Sequence, residues 1–394
     1  MVLDAEVIVI LKLPYHFISA VPLSRRLFSG HRIFPNAGFQ LIDPSILVEE
    51  ETTPNYKAWK YYPASIGEVL CKRYQIVGKL GYGSNSTVWL CRDMRVNQYI
   101  ALKIYVVNDS MVHRELPIYH HINQVRSDHP GRECIRKLID SFEIIGPHGR
   151  HRCLVHQPLG MSLEELKMYT RDKVFSKDLL KIALRELLIA LDFLHSEAQV
   201  IHTEHPVPRK IAEDRSLYAS RPFLLTSGMP VLCDLSEARF GAEENQGYIM
   251  PELFRAPEVI LGMKWTYSVD IWNVGLMVWD LFEKSHLFPG IKPDQTYDEV
   301  HRLAEMVAIL GPPPLKFLER SDISLRFWDE NGNWRGLMPI PDMNLEDLEL
   351  RLSGEDKRGF LQFLRKMLCW LPEERMTAVD LVYDPWLMEG LFDP

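Results

Sequence analysis

The sequence predicts an α+β chain in which a small β-rich lobe precedes a larger helical one. Three observations lead there. Residues 73–80, 87–92 and 99–107 are short, β-branched and aromatic, with turn residues between them, the pattern of successive strands. Residues 176–197 place Leu180, Leu184, Leu187, Leu188, Leu191 and Leu194 on one helical stripe, with Ser176 in position to cap it. The 15 residues 268–282 are apolar on almost every side, which reads as a helix inside a core.

Composition agrees with a folded chain. It has 394 residues, 46% hydrophobic and 25% charged, which excludes disordered, collagen-like and low-complexity classes and is long enough to bury a large core. The expected spans are an N-terminal extension over 1–70, a small lobe with its connecting segment over 71–160, and a large lobe over 161–390. The formal net charge is −8, from 45 basic and 53 acidic side chains. That argues against a nucleic-acid binder relying on phosphate neutralisation and is compatible with a basic partner. No apolar run approaches the roughly 20 residues that span a bilayer, so no membrane partner is expected. A monomer is the expected state. Cys71, Cys91, Cys134, Cys153, Cys233 and Cys369 form no C-x-x-C pair, so reduced, buried thiols in an intracellular chain are expected and zinc is not.

The N-terminus has a different texture. Residues 7–42 contain no acid but carry Lys12, Arg25, Arg26 and Arg32. This resembles a mitochondrial transit peptide; a plain extension or a misassigned start explains it too. Segments 47–51 and 61–66 read as a linker packed on the domain edge.

Five constellations carry possible chemistry. Gly81-Tyr-Gly83-Ser-Asn-Ser86-Thr-Val88 lies between two strand candidates. Its glycines let backbone amides approach a phosphate, although a plain hairpin turn has the same composition. A dinucleotide fold would need a helix directly afterwards, and here the chain continues as strand. In 100–104, Ile100, Leu102 and Ile104 face one way, Ala101 and Lys103 the other. A small residue beside a lysine, facing the glycine loop, suits a flat base and its phosphates; an exposed edge lysine is the plainer reading. Glu115 lies on a helix candidate that could bring it to Lys103, and Pro117 places it near the helix start. The apolar run 231–233 ends at Asp234, a position for a Mg²⁺ ligand or a turn. Arg255-Ala-Pro-Glu258-Val259, Asp270-Ile-Trp272-Asn-Val-Gly275 and Arg375 complete the series.

The order and spacing of these elements resemble the eukaryotic protein kinases over residues 74–387. Within them the chain is similar to the SR-protein kinase family, especially its short fungal members. The residues carrying that are 80–90, Val200-Ile-His-Thr203, 255–263, 269–275, 301–306 with 310–314, and 365–375. The resemblance implies a two-lobed protein-kinase fold, ATP and Mg²⁺ as cofactors, serine in Arg/Ser-rich splicing factors as acceptor, and residence in nucleus and cytoplasm. It implies that Leu80, Gly81, Gly83, Val88, Ala101, Gln157 and Leu159 line the nucleotide site. Residues 156–159 would form the hinge, with His156 guarding the back pocket. Lys103 would hold the α/β-phosphates and pair with Glu115, and Asp234 would coordinate Mg²⁺. Glu258 and Arg375 would form a buried pair, and Asp270 would cap catalytic-loop amides.

The catalytic loop departs from the family. After His202-Thr203 the family has an aspartate, a lysine two residues on and an asparagine five on. This chain has Glu204, Pro206 and Arg209 there. A deletion just after Thr203 removes base, lysine and second metal ligand together. Glu204 remains as a weak substitute base, one methylene longer. General-base assistance contributes about 10²–10⁴-fold, so an impaired enzyme is expected. The alternatives are a gene-model artefact hiding an active kinase, or a pseudokinase that binds nucleotide and basic peptides. The Ala-Pro-Glu and Asp-x-Trp-x-x-Gly elements disfavour a small-molecule phosphotransferase. The metal motif reads Asp234-Leu-Ser236, with serine for glycine. Ser236 is the only serine or threonine in 234–258, and Thr203 replaces the arginine that clamps a phosphorylated loop, so no phosphorylation switch is expected there. Residues 322–356 hold nine acids against three arginines, a surface that would attract an Arg-rich peptide.

Overall fold

Strand alternation and cross-strand pairing build the first lobe. A computed structural model describes residues 9–12, 32–34, 43, 45–53, 56–107, 112–203, 229–242, 245–294 and 296–390. Strands β2 (Val69–Leu70), β3 (Tyr74–Tyr82), β4 (Ser86–Asp93), β5 (Gln98–Tyr105), β6 (Leu138–Gly146) and β7 (Gly149–His156) form one sheet. Its order is β2-β3-β4-β5-β7-β6, and every pairing is antiparallel. Ile100, Leu102 and Ile104 enter one core with Ile76, Trp89, Cys91, Cys153 and Val155. The predicted strands are present, longer or shorter by a residue or two, because pairing rather than local composition sets their ends. The glycine segment is a β3–β4 hairpin. Helix α1 (Val112–Gln124) follows β5, with Glu115 in its first turn and Pro117 one turn in.

The large lobe is helical. Ser176 caps helix α2 (Lys177–Asp192), its hydroxyl accepting from the Leu179 amide at 3.3 Å. The predicted leucine stripe is almost wholly buried. The regular helix stops at Asp192, short of the expected end, because the next turn widens to a π turn over Phe193–Glu197. Helix α3 (Ser268–Phe282) is buried over nearly its whole length, Trp272 and Trp279 included. Among the described residues no helix is long and apolar enough to cross a membrane.

Two smaller sheets carry segments toward the cleft. β9 (Val200–Ile201), which leads into His202, pairs with β11 (Arg239–Phe240). The other sheet has the order β10-β1-β8: β10 (Pro230–Leu232), which leads into Asp234, then β1 (Val9–Lys12), then β8 (Leu159–Ser162) after the connecting segment. Val9, Ile10 and Leu11 lie opposite Leu232, Val231 and Pro230, and Ile10 and Lys12 lie opposite Ser162 and Leu159. The acid-free N-terminal segment therefore supplies a strand to the sheet that ends at Asp234. Arg32 ties the same segment to the small lobe, its amide donating to Gln75 Oε1 at 2.9 Å and its guanidinium to the Tyr99 hydroxyl at 2.7 Å.

The cysteines are all free, as expected, but not all buried. Cys71 is exposed and Cys369 partly so. Cys71 sits with φ 49° in the turn joining β2 to β3, where no core can cover it.

Arg375 and Glu258 tie the large lobe together. The guanidinium donates to both carboxylate oxygens at 2.6 and 2.7 Å, to Ser268 O at 2.9 Å and to Cys369 O at 3.1 Å, and both side chains are essentially inaccessible. Arg375→Ala leaves that carboxylate buried and unpaired, so it should lower stability by about 3–5 kcal/mol in a denaturant titration. Removing residues 1–12 unpairs β8 and β10. At about 0.5–1.5 kcal/mol net per lost hydrogen bond, the urea midpoint should fall by the equivalent of about 2–4 kcal/mol.

Candidate active site

The site begins with register. Gly81 lies opposite Val88, Val88 opposite Lys103, Leu90 opposite Ala101, and Ala101 opposite His156. Directly opposed residues share a sheet face, so glycine loop, lysine and connecting segment are aligned on one side. Leu80, Val88 and Leu159 are only half-buried, as apolar walls of an open cleft are, and the polar Gln157 is half-buried beside them in the chain. A Cβ placed at Gly81 would meet nothing within 4 Å. The space beside the loop is therefore open to a ligand.

Lys103 is the centre of the charge arrangement. Its ammonium lies 2.9 Å from Glu115 Oε2 and 3.3 Å from Asp234 Oδ1, and 5.0 Å from the Tyr105 ring centroid. Burial works against its charge, but the two carboxylates outweigh that and raise its pKa. Glu115 is 1% exposed. Asp234 is different: its side chain is 36% exposed. Burial would raise its pKa, yet the adjacent ammonium and hydrogen bonds from Ser236 hold it at about 2. An ionised, accessible carboxylate is what a Mg²⁺ ion needs. Asp234 has φ 58°, a left-handed conformation that aspartate tolerates better than most residues. Among the described residues no group of three or more His, Cys, Asp or Glu could hold a metal by itself.

The connecting segment closes the back. His156 is 1% exposed, with Nδ1 3.0 Å from Lys137 O. Burial, reinforced by the Arg136 charge, pushes its pKa well below the usual range. The neutral ring packs 5.1 Å from Tyr119.

The stretch that leads to Thr203 is held firmly. Asp270 Oδ2 accepts from the His202 amide at 2.8 Å and lies 2.8 Å from His195 Nε2. His202 Nε2 reaches Cys233 O at 2.9 Å, tying this segment to the strand before Asp234. Thr203, fully buried, donates its hydroxyl to Glu237 O at 2.5 Å. Glu204 lies outside the described residues, as do Pro206 and Arg209.

The sequence anticipated the Lys103–Glu115 and Glu258–Arg375 pairs and the Asp270 cap, but not the approach of Asp234 to Lys103. It missed the ion pairs from Glu237 to Arg114 at 3.2 Å and to Arg239 at 3.0 Å, which join α1 to the segment after Asp234. It also missed a tyrosine from the N-terminal linker lying against the glycine loop. Nothing in local spacing marks either contact.

The acidic stretch is less free than its composition implies. Glu346, Glu349, Glu355 and Asp356 pair with Arg365, Lys357, Arg358 and Lys177. Asp322, Glu330, Asp342 and Asp347 are exposed, Asp329 half so, and these five make no ion pair among the described residues.

Comparison with known proteins agrees with this geometry. Residues 74–387 match the protein kinase domain family. The chain is 46% identical over 393 residues to a serine/threonine protein kinase of Aspergillus fumigatus, covering 95% of this chain and 99% of that one. It is 30% identical over 400 residues to the serine/threonine-protein kinase SRPK of Physarum polycephalum, covering 86% and 92% respectively. It is 27% identical over 350 residues to human dual specificity tyrosine-phosphorylation-regulated kinase 3, covering 82% of this chain and 55% of that protein. With a β-sheet lobe, a helical lobe and the Lys103–Glu115–Asp234 cluster, the chain belongs to the serine/threonine protein kinase family.

Proposed function

We propose that this chain is an SR-protein-kinase-like protein that binds Mg-ATP and basic Arg/Ser-rich peptides, with phosphoryl transfer impaired by a missing catalytic loop. The observation that carries it is the Lys103–Glu115–Asp234 cluster beside the open glycine loop. Lys103, fixed by Glu115, would meet the α/β-phosphates. Asp234 would hold Mg²⁺, which neutralises phosphate charge when bound. Ala101, Leu80, Val88 and Leu159 would enclose the base, with Gln157 in the segment between. The lost loop leaves no aspartate to orient the acceptor hydroxyl and no lysine or asparagine beside the phosphate and metal. Glu204 is the remaining candidate base.

The SRPK similarity supports an Arg/Ser-rich acceptor. Five acids of 322–356 keep unpaired charge toward solvent, enough to favour a basic peptide, though a narrower patch than nine would make. The pairing of β1 and the Arg32 contacts favour a retained N-terminus, hence nucleus and cytoplasm over mitochondrial import. Intact N-terminal peptides are the expected result in mass spectra of the cellular protein, and a mature N-terminus beyond residue 12 would overturn that placement.

Two measurements test the reading. Mg-ATP should raise thermal stability, by about 2.7 kcal/mol at a hundredfold excess over Kd, and Lys103→Ala should abolish the shift. No shift at millimolar ATP sinks nucleotide binding. In single-turnover assays on an Arg-Ser peptide, a variant with the loop restored from a relative that carries it should be faster by roughly 10³-fold, about 4 kcal/mol of barrier. A gap within about tenfold, 1.4 kcal/mol, would mean that the loop argument is wrong.

A further inference from the structure

The N-terminal linker lies against the tip of the glycine loop. Lys79, one residue before Leu80, has a fully buried side chain. It pairs with Glu50 and lies 3.6 Å from Glu49. Farther along, Val107 N donates to Lys60 O at 2.7 Å. Directly after the second anchor comes Tyr61, 4% exposed, its ring 5.2 Å from that of Tyr56. The Tyr61 hydroxyl lies 3.1 Å from Gly83 O and 2.9 Å from Ser84 O, so its one hydrogen is shared between two carbonyls.

Peptide geometry converts this contact into a functional statement. In a trans peptide, C=O and the following N–H point in opposite directions. Gly83 O shares its plane with the Ser84 amide, and Ser84 O with the Asn85 amide. With both carbonyls turned to Tyr61, both amides point away from it. Among the described residues neither amide donates to a backbone carbonyl, whereas the neighbouring Gly83 amide bonds to Ser86 O at 2.8 Å and Asn85 O accepts from Val106 N at 2.9 Å. Two adjacent free amides on a glycine-containing turn make an anion-binding concavity.

We infer that Tyr61 is a positioning residue for nucleotide binding: its hydroxyl fixes two peptide planes of the glycine loop so that the Ser84 and Asn85 amides face the phosphates of ATP. The inference rests on the ATP-binding reading above. Tyr61 touches the loop and not the nucleotide, so its effect belongs to the phosphates and not to the base.

The experiment uses the full chain and Tyr61→Phe, which keeps the ring and removes the hydroxyl. Calorimetry with Mg-ATP and with adenosine separates the two ends of the ligand. The variant should bind Mg-ATP about two- to tenfold more weakly, the loss expected from one hydrogen bond, with adenosine affinity unchanged and the ligand-free melting temperature lowered by no more than a few degrees. Equal weakening of both ligands, or of neither, overturns the proposal. Hydrogen exchange on the nucleotide-free proteins reads the loop directly. The Gly83 and Val106 amides should exchange several-fold faster in the variant; unchanged rates overturn the positioning role whatever the calorimetry shows. A wild-type chain that binds adenosine but not Mg-ATP also overturns it. One that binds neither sinks the ATP reading, and hydrogen exchange still reports on the clamp.

Discussion

A buried ammonium between two carboxylates organises this molecule. Lys103 projects from the middle of the small lobe's sheet, Glu115 from the helix beside it, and Asp234 from the segment just after β10. Removing Lys103 from water is costly, and only close, paired charge offsets that cost. The position of α1 and the approach of the Asp234 strand are therefore coupled to one side chain. The ion pair from Arg114 to Glu237 strengthens the same connection one turn away. Asp234 stays partly accessible and strongly ionised, which leaves one carboxylate in the cluster available to a metal while the other is committed to the lysine.

The elements that hold Asp234 come from distant parts of the chain. Its strand pairs with residues 9–12, and His202 and Cys233 are bonded across the cleft floor. The N-terminal segments thus act as parts of the domain. One supplies a sheet strand under the connecting segment, another reaches the glycine loop through Tyr61, and a third is fastened to Gln75 and Tyr99 by Arg32. Such contacts lower the free energy of the folded site without adding any group that touches a ligand. The segment that leads to Thr203 is held as well: Asp270 receives the His202 amide, and Thr203 is fully buried.

Surface charge shows the same division between composition and geometry. Nine acids in 35 residues read as one negative field. Folding consumes four of them in local pairs with Lys177, Lys357, Arg358 and Arg365. Such exposed pairs contribute little stability, but they neutralise charge that an approaching basic peptide would otherwise meet. Glu349 is the exception, fully buried and committed to the fold.

The sequence by itself determined the two-lobed class, the strand and helix content, and the identity of Lys103, Glu115, Asp234, Glu258, Asp270 and Arg375. Each of these is written in short-range signals: period-two and period-3.6 apolar patterns, caps, and motifs whose spacing is set by local backbone geometry. The residues after Thr203, with Glu204, Pro206 and Arg209, are likewise read from the sequence alone. Tertiary structure decided what depends on long-range register and on competition for partners. Residues 9–12 carry no local mark of the strands they join, since either edge of a short apolar strand can pair with many others. Tyr61 reads as an ordinary linker aromatic until folding brings Gly83 and Ser84 to its hydroxyl. Whether an acid is free or paired depends on which cation lies within about 4 Å of it, and that distance is a property of the folded chain.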